Sequence, residues 1–320
     1  MRDGGMDVQG QAQAEQGYAS DTPNSIGKAV GLLGDEWVLL ILRNLLLEAS
    51  RYIDLKKMLG ISDAVLTDRL RRLTQAEMVE RIEGASGIAY QCMAKGKATW
   101  PILLAIWDWE RTWIRLPGVA LPRMRHRTCG ALLHTMVVCG DCEQPTGPAE
   151  LSARWGASGG WARSIPVGST RRRNAAAVTS AFQGFCSETM SLLGNRWSMA
   201  LMIGAFLGLR RFYAFQSNLG VPSGLLAQRL EAFCELGVFA VSPSADRGDW
   251  YDYELTQKGR AFWPVIVCLT DWALKWMAGE DEGEALILEH KTPAHRFTPV
   301  LACRHCGELL KLAEIAVVTQ

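Results

Sequence analysis

The sequence predicts an α+β, mainly α protein in which one unit is written twice, each copy a helix-rich body followed by a small Cys/His hairpin. Two observations carry that expectation. The first is internal repetition: LLGDEW at Leu32–Trp37 recurs as LLGNRW at Leu192–Trp197, and Leu66, Arg69 and Leu70 recur as Leu226, Arg229 and Leu230, all 160 positions apart. A repeat of this kind marks a duplicated domain. Downstream the separation becomes 163, pairing Tyr90 with Tyr253, Trp100-Pro101 with Trp263-Pro264 and Asp108-Trp109 with Asp271-Trp272. The second observation is the tail of each copy, where a separation of 164 pairs His126, Cys139 and Cys142 with His290, Cys303 and Cys306.

Length and composition agree with two domains. The 320 residues are 48% hydrophobic and 21% charged, enough apolar material for more than one core and too much for a disordered chain. The longest apolar runs, such as VLLIL and ILLAIW, stop far short of the roughly 18 residues of a membrane span, so no membrane partner is expected. Residues 1–24 are polar and lack an apolar signal core, which reads as a disordered leader on a cytoplasmic protein. Lys plus Arg number 34 against 33 Asp plus Glu, so any basic surface must be local. Nine cysteines without a secretion signal point to free thiols or metal ligands rather than to a disulfide framework.

In the first copy, WVLLILRNLLL has helical apolar spacing, and YIDLKKML continues as a short amphipathic helix ending at the turn Gly60-Ile61. Ser62 can cap the next helix, DAVLTDRLRRL, whose Leu66, Leu70 and Leu73 form one buried stripe. Helix, glycine turn and helix make a helix-turn-helix. MVERI and AYQCM then read as two strands around EGASGI, and KGKATWPILLAIWDWERTW as a long closing helix. The expected architecture is tandem winged helix-turn-helix domains at 25–118 and 181–279. The Cys/His tails, resembling zinc ribbons, fall at 119–146 and 280–320. Residues 147–180, with GASGG, PVGST and the run Arg171, Arg172, Arg173, read as a solvated linker.

These motifs resemble the HxlR-type winged-helix transcription regulators. The resemblance rests on LLGDEWVLLILRNLLL, on the aromatic Tyr52 before DLKKMLGIS, on VLTDRLRRLTQAEMVER and on the Lys-Gly before the last helix. It is repeated in LLGNRW, RRFYAFQSNLGVPSGLLAQRLEAFCELGV and YDYELTQKGRAFWPV. It implies a transcription regulator on double-stranded DNA, paired through its terminal helices as a homodimer or, here, as an intramolecular pseudo-dimer, each half placing a recognition helix in the major groove. It does not name a small-molecule effector.

With Leu66, Leu70 and Leu73 buried, the opposite face of the second helix carries Ala64, Thr67, Asp68 and Arg71, flanked by Arg72 and preceded by Ser62. Arg71 and Arg72 are the leading DNA contacts, because a guanidinium grips phosphate or guanine through a planar fork. Lys56 and Lys57 on the preceding helix are either phosphate contacts or solubilising charges. Arg69 is expected to serve a nearby acid. The second copy offers Ser223, Gly224 and Gln228 on the matching helix and Arg247 in its wing, but Glu231 and Ala232 stand where Arg71 and Arg72 would be. The copies should therefore read DNA unequally. The first wing lacks a basic tip, and Arg247 lies between Asp246 and Asp249.

In the first tail His126, Cys129, Cys139 and Cys142 have the types and spacing of one tetrahedral Zn2+ site. The second keeps His290, Cys303 and Cys306, has Pro293 in place of Cys129, and offers His295 or His305 as the missing ligand. The other account of these tails is a thiol hairpin that packs without metal. Cys186 reads as a core thiol. A non-DNA-binding interaction or sensor protein on the same fold is the alternative function, favoured by the weakly basic wings. An enzyme using C-x2-C redox chemistry ranks last, since neither pair lies in a βαβ pattern.

Overall fold

A computed structural model describes residues 7–8, 22–84, 87–114, 121–166, 187–195, 197–244 and 250–318. A short parallel strand, β1 (Asp7–Val8), precedes the first body. Its helices are α1 (Ser25–Leu33), α2 (Glu36–Leu47), α3 (Tyr52–Leu59) and α4 (Asp63–Gln75), with β2 (Ser50–Arg51) between α2 and α3. A hairpin of β3 (Val79–Gly84) and β4 (Gly87–Cys92) forms the wing, and β2 extends it to three strands in the order β2-β4-β3. The short α5 (Ala94–Lys97) leads into the closing helix α6 (Trp100–Trp113), where Pro101 occupies a first-turn position that has no amide to satisfy. Helices α2, α3 and α4 and the β3–β4 hairpin match the expected winged helix-turn-helix, whereas the closing helix, expected in one piece, is divided into α5 and α6.

The local chemistry explains the helix-turn-helix bend. Gly60 ends α3 at φ +60°, a conformation that a side chain disfavours. Ser62 then caps α4 by accepting from the Val65 amide at 3.4 Å. Leu66, Leu70 and Leu73 are at most 3% exposed, each contributing about 1.5–3 kcal/mol of burial relative to an exposed side chain. Asp35 caps α2 through the Val38 amide and also accepts from Arg69 Nε and one terminal nitrogen at 3.0 and 2.7 Å. Arg69 is thus the partner of a buried acid, as its position on the inner side of α4 suggested. Arg69 keeps a second partner in Asp68 at 2.8 Å, so replacing Asp35 by Ala should cost about 1.5–3 kcal/mol, the loss of a buried acceptor of charged hydrogen bonds. Urea unfolding with a loss below about 1 kcal/mol would contradict this pairing.

The second body repeats the order as α7 (Ser187–Leu193), α8 (Ser198–Phe206), α9 (Phe212–Leu219), α10 (Ser223–Glu235), β8 (Phe239–Pro243), β9 (Tyr251–Leu255), α11 (Gln257–Arg260) and α12 (Trp263–Trp276). Gly220 takes the place of Gly60 at φ +63°. Pro222 caps α10 without a side-chain hydrogen bond. Asn195 stands where Asp35 does, and the buried Nε of Arg229 has no hydrogen-bond partner among the described residues.

The two bodies meet through their closing helices in a reciprocal way. The Trp109 indole donates to the Lys258 carbonyl and the Trp272 indole donates to the Lys95 carbonyl, both at 3.1 Å. These are matching residues of the two copies, so the contact has an approximate two-fold relation. The paired tryptophans are core and interface residues, with Trp109 and Trp272 at most 3% exposed. Trp109 meets Phe262 edge-on at 5.0 Å, the favoured geometry for aromatic rings.

The tails are exchanged. Their strands are β5 (Arg123–His126), β6 (Thr135–Cys139) and β7 (Leu151–Trp155) in the first copy, and β10 (Leu286–Lys291), β11 (Ala294–Arg296), β12 (Pro299–Cys303) and β13 (Ile315–Val318) in the second. Strand β6 pairs antiparallel with β12, and the register centres on Val137 opposite Leu301, a residue facing its own repeat partner. Around that centre β5 pairs with β13, placing His126 opposite Ile315, while β10 pairs with β7, placing His290 opposite Leu151. Neither tail is a self-contained hairpin unit.

Two expectations need correction. Residues 147–180 are not wholly linker: β7 is a paired strand in the order β1-β7-β10-β11, with Leu151 and Ala153 buried, and it is the first copy's equivalent of β13. The segment after it docks on α1, where Asn24 accepts from the Gly27 amide and donates to Ser164 Oγ at 2.9 Å. A β-carbon on Gly27 would lie 2.5 Å from the Arg163 carbonyl, so this approach requires glycine. Likewise the polar start is not all leader, since β1 pairs with β7. Arg171, Arg172, Arg173 and Cys186 lie outside the described residues.

The copies also differ where helix meets tail. Asp108 on α6 accepts from the Thr135 amide at 2.7 Å and its hydroxyl at 2.8 Å, with His134 at 3.1 Å. In the second copy Pro299 has no amide proton to give, and Asp271 instead pairs with Lys275 at 2.9 Å. Burial pushes the Asp271 carboxyl upward from its ordinary range.

Candidate nucleic-acid interface and metal centres

The outer face of α4 is built by helical periodicity. Ala64, Thr67 and Arg71 are exposed, and Asp68 is half-buried beside them. Arg71 lies over the turn before it, donating to Asp68 at 2.7 Å and to Gln75 at 3.1 Å. Lys56 reaches across from α3 to Asp63 at 2.5 Å, and the Tyr52 hydroxyl joins Asp63 to Thr67 at 3.1 Å each. These contacts hold the Asp63 and Asp68 carboxyls below their usual range; the leading causes are Lys56 for Asp63 and Arg71 for Asp68. Exposed pairs of this kind are screened by water and contribute little, so a phosphate can displace the carboxylate at small cost. Lys57 and Ser62 are also exposed.

Arg72 departs from its expected outward direction. One step round the helix from Arg71, its guanidinium donates to the Gly31 carbonyl at 3.2 Å and lies 3.7 Å from Asp35. It secures α4 to the helices beneath, and an Arg72 substitution therefore tests packing as well as any contact made outside. In the second copy Ser223, Gly224 and Gln228 are exposed on α10 as expected, with Glu231 on the same face. The two faces thus differ in charge sign at the position of Arg71. Arg247 lies outside the described residues.

All eight Cys/His candidates come together, but not by tail. Among the described residues there are two groups with every ligand atom within 4.8 Å of the others: His126, Cys129, Cys303 and Cys306, and Cys139, Cys142, His290 and His295. The expected set of His126, Cys129, Cys139 and Cys142 is therefore corrected: β6 carries the first copy's C-x2-C away to the second copy's histidines. His295, not His305, fills the position lost at Pro293.

The spacing of the atoms fits a tetrahedral metal. With metal–sulfur and metal–nitrogen distances near 2.3 and 2.0–2.1 Å, the edges of such a tetrahedron are about 3.8 Å between sulfurs and about 3.6 Å between sulfur and nitrogen. In the first group His126 Nδ1 lies 3.5 Å from Cys129 Sγ and 3.4 Å from Cys306 Sγ, and Cys129 Sγ lies 4.0 Å from Cys303 Sγ. In the second, His295 Nε2 lies 3.4 Å from Cys139 Sγ. At His295 the outer nitrogen is held as in metal sites, where a second partner fixes the tautomer. His295 Nδ1 is 2.9 Å from the Pro293 carbonyl, and the buried His126 Nε2, with no hydrogen bond, faces Glu314 at 3.8 Å.

Two of the thiols are electrostatically prepared, whereas Cys306 is raised: the Glu308 amide favours its thiolate, but burial and the neighbouring Cys129 and Cys303 outweigh it. Burial works against ionisation of Cys139, yet the amides of Thr298, Asp141 and Cys142 and the His295 ring bring its pKa down to about 6. The Ala131 amide, with His126 and the neighbouring thiols, brings Cys129 to about 7. By contrast, burial pushes Cys92 up to about 11 and raises Cys268 further, as expected of small apolar core residues.

A tandem winged helix-turn-helix with composite Cys/His clusters is the class that the fold defines. The chain belongs to the HxlR-like helix-turn-helix family, which it matches twice, over residues 32–116 and 192–281, and it is accordingly a transcriptional regulator of the HxlR type. It is similar to the uncharacterized HTH-type transcriptional regulator MT3179 of Mycobacterium tuberculosis, at 36% identity over 121 residues, which is 38% of this chain and 76% of that protein. A second relative is the uncharacterized HTH-type transcriptional regulator YvaP of Bacillus subtilis, 37% identical over 91 residues, or 27% of this chain and 84% of that one. Among solved structures, PA1607 is 30% identical, covering 42% of this chain and 95% of its own, with a TM-score of 0.38. No helix among the described residues is long and apolar enough to cross a membrane.

Proposed function

We propose that this chain is a cytoplasmic regulator that binds operator DNA as an intramolecular pseudo-dimer, with α4 as the principal reading helix, α10 as the weaker one, and structural zinc in its tails. The observation that carries the reading is the reciprocal packing of the two copies through Trp109 and Trp272, which leaves the first turns of both helices exposed. A single chain then presents the two half-site readers that a helix-turn-helix dimer needs. Its role is recognition, with no part for catalysis.

On α4, Arg71 acts as a guanine or phosphate contact, and Thr67 supplies a weaker hydrogen bond. Lys56 and Lys57 face the backbone, with Ser62 and Ala64 at the entry of the helix. On α10, Ser223, Gly224 and Gln228 offer only neutral contacts, and Glu231 opposes phosphate. The test is binding of the whole chain to duplex from the region upstream of its own gene, over a range of salt. Affinity should fall steeply with salt through counterion release. If no such DNA is bound even at low salt, the alternative of an interaction module on this fold takes its place.

A further inference from the structure

We infer that each of the two metal ions is a clasp between the repeats: a Cys3His zinc site of His126, Cys129, Cys303 and Cys306, and a Cys2His2 zinc site of Cys139, Cys142, His290 and His295. This rests on the zinc reading above and goes beyond it, because the ligands of each ion come from both copies.

The strand register enforces the exchange. The pairing of β6 with β12 turns about Val137 and Leu301, so the two C-x2-C turns point to opposite ends of the ribbon. Cys139 sits opposite Pro299, and Cys303 opposite Thr135. At one end β13 lies beside β5 and delivers the second copy's chain to His126; at the other β7 lies beside β10 and delivers the first copy's chain to His290. Each site therefore takes the histidine half of one tail and the thiol half of the other. An arrangement in which each tail bound its own metal would require this ribbon to come apart.

The second site also explains a departure in the repeat. Pro293 replaces the ligand Cys129, yet the Pro293 carbonyl lies 2.9 Å from His295 Nδ1, which leaves Nε2 turned to Cys139. One lost thiolate is thereby exchanged for one histidine two residues later, and the site keeps four ligands. The consequence is mechanical: with zinc bound, the tails cannot separate without breaking metal–ligand bonds, so the copies are held as one body in addition to their helix contact.

The test uses the full chain and asks which cysteine loses protection when a distant one is removed. Purified under reducing conditions and loaded with zinc alone, wild type should hold about two equivalents and resist N-ethylmaleimide at all five tail cysteines. In Cys306→Ser, about one equivalent should be lost and Cys129 should become reactive, while Cys139 and Cys142 stay protected. In Cys142→Ser, Cys139 should become reactive and Cys129 should stay protected. Cys129 would thus follow Cys306, which is remote in sequence, and not Cys142 in its own tail. If Cys129 follows Cys142 instead, each tail binds its own ion and the clasp is refuted while zinc remains; if wild type holds less than about half an equivalent, both fall. Cys306 is exposed and Cys142 is half-buried at the edge of the core, so Cys306→Ser is the variant that disturbs packing less. Should one variant fail to fold by circular dichroism, the other alone still decides between the two assignments.

Discussion

Reversing one charge, Arg71→Glu, should reduce affinity for operator DNA by about 30-fold or more without changing the unfolding midpoint. The side chain is exposed, and among the described residues its hydrogen bonds are to Asp68 and Gln75 on its own helix, so little folded-state stability depends on it. Bound to DNA, a guanine or phosphate contact of this kind is worth about 1–3 kcal/mol, and a carboxylate in its place adds repulsion. The dependence of affinity on salt should become shallower by about one counterion. Gln228→Ala on α10 should cost far less, since that face already carries Glu231. Equal losses in the two variants, on matching half-sites, would show a symmetric reader and contradict the unequal roles assigned to α4 and α10. The converse variant, Glu231→Arg, should strengthen binding and steepen its salt dependence.

Removing zinc should have the larger effect on the protein itself. Structural zinc sites bind with apparent free energies of about 10–16 kcal/mol at neutral pH, and that energy is part of folding wherever the site does not exist in the unfolded chain. Two such ions joining β5, β6, β10 and β12 should make the tail ribbon strongly chelator-sensitive, while the winged helices keep their own cores of Leu66, Leu70 and Leu73 and of Leu226, Leu230 and Phe233. Hydrogen exchange after chelation should therefore rise in 121–155 and 286–318 and stay low in α2, α4, α8 and α10. DNA affinity should fall at the same time, because the spacing of the two readers loses one of its two constraints. Uniform exchange before and after chelation would contradict the clasp, and loss of protection throughout would contradict independent cores.

Much of this architecture was legible in the sequence. The i, i+4, i+7 stripe of α4, the Ser62 cap and the glycine turn are local signals, and the structure places each where its spacing indicates. The eight Cys/His candidates were legible by residue type and by the repeated spacing of the tails. Their grouping was not, because spacing along a chain cannot tell which of two equivalent strands lies beside β6. That choice is made by the antiparallel pairing of Val137 with Leu301, a contact between copies. Strand β7 escaped notice because LSARW is short, turns only Leu151 and Ala153 inward, and is followed closely by glycines. Arg72 was misdirected for a related reason: its inward partners, the Gly31 carbonyl and Asp35, lie more than thirty positions away. In each of these cases the deciding neighbour is distant in sequence.

The central claim is that one chain supplies both halves of a DNA-reading dimer, and the stoichiometry of the complex tests it most directly. Mass measurement of the zinc-loaded protein saturated with a duplex from its own upstream region, combined with a footprint, gives the number of chains per site. One chain should cover two half-sites about one helical turn, or a multiple of it, apart. Two chains on that site, or one chain protecting a single half-site, would contradict it.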